Sequence, residues 1–217
     1  MKHRSLREWA IRLVLLLLGL TVAHLGVTLF LQAGLGSDPF TVLVQGISVR
    51  SGLTVGTTHV ICTVTLMVLM LVFTRGYVLP GTVVCAFCGG PIIDVFTGLL
   101  GGYLNPQLPM AARVACTVAG CAILAAGMSL VIRSDAGTGP NDLVAVIAAD
   151  KLKKFQFRWV RIACDAAFVL AGFLLGGTVG AGTIVAVCLI GPVCQFMMPR
   201  SQKLVDRAVG APAETRP

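Results

Sequence analysis

The 217 residues include 17 Lys and Arg against 9 Asp and Glu, a formal charge of +8, yet only 12% of the chain is charged and 56% is hydrophobic. A soluble domain carries about 25% charge to keep its surface wet, so a mean hydropathy of +0.90 excludes an ordinary soluble protein and calls for lipid as the solvent. The basic residues gather at the start (Lys2, Arg4, Arg7, Arg12), centrally (Lys151, Lys153, Lys154, Arg158, Arg161) and near the end (Arg200, Lys203, Arg207), between the apolar runs, a loop pattern rather than a groove-lining stripe, so no nucleic-acid partner is expected.

In chain order, residues 1–9 read as a cytoplasmic N-terminus and 10–100 as a first membrane repeat. Its opening apolar run, 10–32, has the roughly 20-residue length of a span rather than the 7–15 of a signal-peptide core, so it is read as a retained helix. The turn Gly34-Leu-Gly-Ser-Asp-Pro39 follows, then a short apolar piece from Pro39 to Val49. Proline suits the first turn of a helix, and about 11 residues reach roughly 17 Å, half the hydrocarbon thickness. Such a helix should lie in the interface or dip in and return. Spans at 57–74 and 82–100 complete the unit. The second repeat, 110–199, runs likewise: a span at 110–133, the turn Asp135-Ala-Gly-Thr-Gly-Pro140, a short helix from Pro140 to Ala149, and spans at 158–175 and 183–199. Residues 200–217 read as a disordered cytoplasmic tail.

A fixed offset of 101 residues relates the two units. Arg12/Arg113, Gly19/Gly120, Gly26/Gly127, Gly36/Gly137, Pro39/Pro140, Gly76/Gly177, Gly81/Gly182, Thr82/Thr183, Gly90/Gly191 and Pro91/Pro192 match without a gap. Three spans per unit is odd, so the second unit inserts upside down. The expected fold is an all-α membrane protein with six transmembrane helices arranged as two inverted three-helix repeats, each containing a short broken or re-entrant helix. With both termini cytoplasmic, fifteen of the 17 basic residues lie inside and only Arg50 and Arg113 outside. An eight-span alternative, with the short helices crossing, gives the same ratio because those two then exchange sides with Arg75 and Arg133.

Inverted repeats with Gly/Pro-broken helices at matching positions are a pattern of secondary transporters. A half-helix N-terminus leaves unpaired N–H groups that can hold a polar or anionic group. On that argument Gly36, Asp38, Pro39 and Gln45 from one unit, with Gly137, Thr138, Pro140, Asn141 and Asp142 from the other, would line a substrate site. The alternative is that these helices are interfacial and their Gly and Pro mere turn punctuation. Ionisable groups within spans are costly and therefore informative. Asp94 has no helical neighbour to neutralise it, Arg161 and Asp165 stand one turn apart and either pair up or serve a substrate, and His59, like His24, is a relay candidate or a hydrogen-bonded structural histidine. The eight cysteines all fall inside apolar runs and read as small hydrophobes. Cys85-x-x-Cys88 lacks partners at ligand spacing, so no metal site or cofactor is expected. No Walker, nucleophile-elbow or His-Glu-x-x-His motif points to an enzyme.

The run Gly34-Leu-Gly-Ser-Asp-Pro39, the turn Ser51-Gly-Leu-Thr-Val-Gly56, Gly90-Pro-Ile-Ile-Asp94 and the stretch Gly176-Gly-Thr-Val-Gly-Ala-Gly-Thr183 resemble those of the YczE-like bacterial membrane proteins, related to the wider YitT group, from about residue 10 to 199. The resemblance implies a multi-pass protein of the bacterial cytoplasmic membrane and an acidic residue near the position of Asp165. It departs at Lys151-Leu-Lys-Lys154, which replaces a more usual Arg/Thr/Gly-rich turn. The functional expectation is a permease for a small polar or anionic molecule, embedded in the bilayer, alone or as a homodimer. The alternative is a non-transporting binding subunit or scaffold that requires a partner.

Overall fold

A computed structural model of the chain describes residues 5–74 and 76–210; the sequence expectations for 1–4, Arg75 and 211–217 lie outside the described residues. These fold into eight helices: α1 Leu6–Ala33, α2 Pro39–Ser51, α3 Val55–Phe73, α4 Pro80–Leu100, α5 Met110–Ser134, α6 Pro140–Lys151, α7 Phe157–Leu174 and α8 Ala181–Val209. Local chemistry sets many of the ends. Ser5, Asp38 and Thr54 accept backbone N–H groups as N-caps, proline opens α2, α4 and α6, and Gly34 closes α1 at φ 62°, a conformation that costs glycine nothing.

Five helices, α1, α3, α4, α5 and α8, are long and apolar enough to cross a membrane. The expected fifth span, 158–175, now α7, is not among them. Arg158, Arg161 and Asp165 fall within its 18 residues, and its apolar side chains concentrate on one face. The expected tail is corrected more plainly. Residues 200–209, read as disordered, continue α8 as helix, because Ser201 pairs with Ser129 of α5 (Oγ–Oγ 2.7 Å) and Val205 is buried. Tertiary contacts hold a segment whose local composition is merely polar.

The core sits where α1 and α5 cross, flanked by α4 and α8. Ala23, Val27 and Phe30 of α1 pack with Ile93, Cys121, Leu124 and Ala186, while Leu16 and Leu20 meet Cys85 and Val131. Small residues let the backbones approach: a Cβ at Gly26 would lie 2.5 Å from the Leu124 nitrogen and 2.6 Å from the Gly120 oxygen. All eight cysteines are unpaired thiols. Large apolar side chains such as Val72, Phe73, Leu99 and Ile184 cover the outside, a surface that lipid solvates and water does not.

Several of these contacts occur twice, displaced by 101 residues. Arg12 donates to the Ser134 carbonyl (2.9 Å), and Arg113 donates to the Ala33 carbonyl (2.7 Å). The Gly81 amide reaches the Ala136 carbonyl at 2.9 Å, and the Gly182 amide reaches the Leu35 carbonyl at 2.8 Å. Gly26 faces Gly120, and Gly127 faces Gly19. Each contact becomes its counterpart when both residue numbers move by the offset in opposite directions.

Candidate functional site

The short helices share one burial pattern. α2 begins buried at Phe40, Thr41 and Val42 and ends exposed at Val49 to Ser51, and α6 begins buried at Pro140 and ends exposed at Asp150 and Lys151. Both helices pack on α3 and α7, and the Asp38 carboxylate before α2 lies within electrostatic reach of Asp142 in the first turn of α6. Asp165 of α7 lies within reach of both. Arg161 ties the group together: its Nη1 donates to Asp142 Oδ1 at 2.9 Å and its Nε to Asp165 Oδ2 at 3.1 Å. Asp38 spends one oxygen on its own helix, accepting the Thr41 amide at 3.2 Å, and the other accepts the Ser37 hydroxyl at 3.3 Å. The positive end of α2 is therefore answered from within the chain.

Asp142 and Asp165 share the one Arg161 guanidinium, and Asp38 lies within electrostatic reach of both carboxylates, so acids outnumber bases in this group. Pro39 and Pro140 open the two helices. Asn141 sits in the first turn of α6, and its Oδ1 bounds the space beside Gly139. Thr138 is half-buried in the loop before it. Gly36 and Gly137 serve close packing: a Cβ on Gly36 would come 2.5 Å from Thr183 Oγ1, and one on Gly137 would come 2.5 Å from the Thr82 nitrogen. Gly36 lies against the first turn of α8 and Gly137 against the first turn of α4.

Two candidates fall elsewhere. Asp94 sits at the N-terminus of α3, where Thr54 donates to one oxygen at 2.6 Å and the Gly56 amide to the other at 2.9 Å. That is a cap supplied from another helix, and it answers the charge that the sequence left unneutralised. Gln45 lies further out along α2, its Oε1 accepting the Thr178 amide from the turn before α8 at 2.8 Å. At the other short helix the Tyr77 hydroxyl donates to Asp150 of α6 at 2.6 Å, a bond that pushes the phenol above its ordinary range.

His59 is buried and edge-on to His24, ring centroids 5.2 Å apart, and to Phe40 at 5.5 Å. The His24 Nδ1 lies 2.8 Å from the Leu20 carbonyl, whereas His59 Nδ1 has no hydrogen-bond partner among the described residues. Both Nε2 atoms point at Gly89, where a Cβ would stand 2.8 and 2.9 Å from them, so glycine is required for the two imidazoles to fit. Phe40 continues the contact to Phe168 of α7, centroids 5.5 Å apart. Phe40 stood outside the sequence-derived site, and only its place beside Pro39 hinted at its position. Among the described residues no three His, Cys, Asp or Glu side chains are grouped to hold a metal.

Residues 10–199 match the family described as "Family of unknown function (DUF6198)". The chain belongs to it. It is similar to the "Uncharacterized protein YyaS" of Bacillus subtilis (strain 168), 29% identical over 84% of this chain and 90% of that one. An "Uncharacterized protein" of Haemophilus influenzae (strain ATCC 51907 / DSM 11121 / KW20 / Rd) is 30% identical over 85% and 82%. The "Uncharacterized membrane protein YczE" of Bacillus subtilis (strain 168) is 25% identical over 94% and 93%, which bears out the YczE-like resemblance. No solved structure matches. The protein is a membrane protein with several apolar helices.

Proposed function

We propose that this chain is a permease of the bacterial cytoplasmic membrane, built as two inverted repeats, that moves a small polar molecule past a site between the first turns of α2 and α6. The observation that carries the reading is that α2 and α6, buried at their starts and exposed at their other ends, both pack on α7, from which Arg161 bonds Asp142 in the first turn of α6. Two half-helices starting inside a bundle are a known means of presenting polar groups to a substrate away from water. The contacts repeated at 101 residues support an exchange symmetry between the halves. The acid excess turns the expected ligand preference from anionic to cationic, or to coupling with a proton, since a further anion would add to charge already unbalanced in a low dielectric. No covalent step is needed.

Alternation between two openings has a physical basis in the outer bonds. Tyr77 and Thr178 are repeat mates, and each sits in the turn before a long helix. Tyr77 holds α6 through Asp150, and Thr178 holds α2 through Gln45. Release of one bond with the other kept would free one short helix at a time.

Purified protein in proteoliposomes, offered a panel of labelled organic cations, neutral polar solutes and anions, tests the proposal. A cation is expected to accumulate, and Asp142→Asn, which leaves Arg161 its bond to Asp165, is expected to lower the rate at least tenfold without changing gel-filtration behaviour. Transport of anions alone would reverse the charge argument. Movement of solute only in the presence of a co-purifying ATPase would replace the permease with a binding subunit.

A further inference from the structure

The helical extension of α8 has a face that the permease reading does not use. From Ala181 to Arg200 is about 28 Å at 1.5 Å per residue, close to the roughly 30 Å hydrocarbon thickness, so residues 200–208 emerge at headgroup depth if Ala181 starts at the opposite boundary. Ser201 and Val205 turn inward to the bundle. On the outward side Arg200, Lys203, Leu204, Arg207 and Ala208 line a shallow concavity that contains three cations and no carboxylate. Asp206 is engaged by Gln202 at 2.7 Å. One turn toward the membrane, Phe196 is 64% exposed, and the Arg200 guanidinium lies over its ring at 4.3 Å. Leu204, among the cations, is 49% exposed.

We infer that this face binds the headgroup of an anionic phospholipid, its phosphate held by Arg200, Lys203 and Arg207 around Leu204 and its acyl chain running back along Phe196. Charge complementarity selects the anion, and Arg offers phosphate a planar fork of donors. The apolar side chains next to the cations favour a lipid over a soluble phosphate, which could use only the cations. The stacked ring holds Arg200 at the boundary where its aliphatic stem contacts lipid and its head contacts water. The inference is independent of whether the protein transports anything.

The test uses the full chain in nanodiscs of phosphatidylcholine, with phosphatidylglycerol titrated in, read by native mass spectrometry for retained lipid and by thermal melting. Selective retention of phosphatidylglycerol is expected, weakened about fivefold for each cation neutralised in the series R207Q, R200Q/R207Q and R200Q/K203Q/R207Q. Because loss of basic residues can alter insertion, Phe196→Ala provides a second reading with every charge kept, and retention is expected to weaken there too. Equal retention of phosphatidylglycerol by wild type and the triple variant overturns the site. Stabilisation by millimolar inorganic phosphate equal to that by the lipid overturns the lipid assignment.

Discussion

A carboxylate in an apolar helix is costly until something answers its charge, and what answers it decides its role. Asp94 is answered by the Thr54 hydroxyl and the Gly56 amide at the start of α3, where the helix dipole also favours a negative group. Asp94→Asn should keep at most one of these as a bond to an oxygen acceptor, costing about 1–3 kcal/mol. A lower melting temperature in detergent, with solute uptake per folded molecule unchanged, is the expected result; lost uptake at unchanged stability would return Asp94 to the site. Asp142 and Asp165 differ from it because their shared partner, Arg161, leaves the group with excess negative charge. The sequence showed the Arg161–Asp165 spacing, one helical turn, but not the bond to Asp142 nineteen residues away, which depends on α6 and α7 packing together.

At the scale of elements, helix existence was legible throughout and helix behaviour only in part. Both short helices start at the expected prolines because a ring that presets φ and lacks an N–H acts locally. The amphipathic character of α7 follows from Arg158, Arg161 and Asp165, also visible in sequence, yet the apolar run around them read as a span. The close crossing of α1 and α5 is sharper than glycine spacing alone could establish. Gly26→Ala would put a methyl 2.5 Å from the Leu124 nitrogen, against backbone that cannot rotate aside. Separation of the two helices should cost about 1–3 kcal/mol, read as a lower melting temperature in detergent. By contrast, Gly98→Ala, with nothing within 4 Å of the added carbon, should leave stability nearly unchanged in the same assay.

For the whole molecule the 101-residue offset makes a quantitative demand. Arg12 ties the start of α1 to the end of α5, and Arg113 ties the start of α5 to the end of α1. These equivalent bonds lie about 30 Å apart along α1, from the 1.5 Å rise. Arg12 also pairs with Glu8 and Arg113 also donates to the Gly34 carbonyl, so Arg12→Gln and Arg113→Gln each lose two contacts and should destabilise by similar amounts, about 1–3 kcal/mol each, and the double variant by their sum within about 0.5 kcal/mol. Thermal melts of the three variants check it; strong non-additivity would mean that the two ends are coupled through the α1–α5 crossing.

Composition and local sequence determined by themselves that the chain is a membrane protein and where most of its helices begin, because transfer energy and proline geometry act on each segment whatever its neighbours. Tertiary structure decided which charges meet. Electrostatic partnership depends on distances of a few ångströms between helices far apart in sequence, and it moved Asp94 to a cap, joined Asp142 to Arg161 and placed Phe40 against His59. It also extended α8 through the expected tail, since Ser129 and the buried Val205 supply there the anchoring that local sequence lacks.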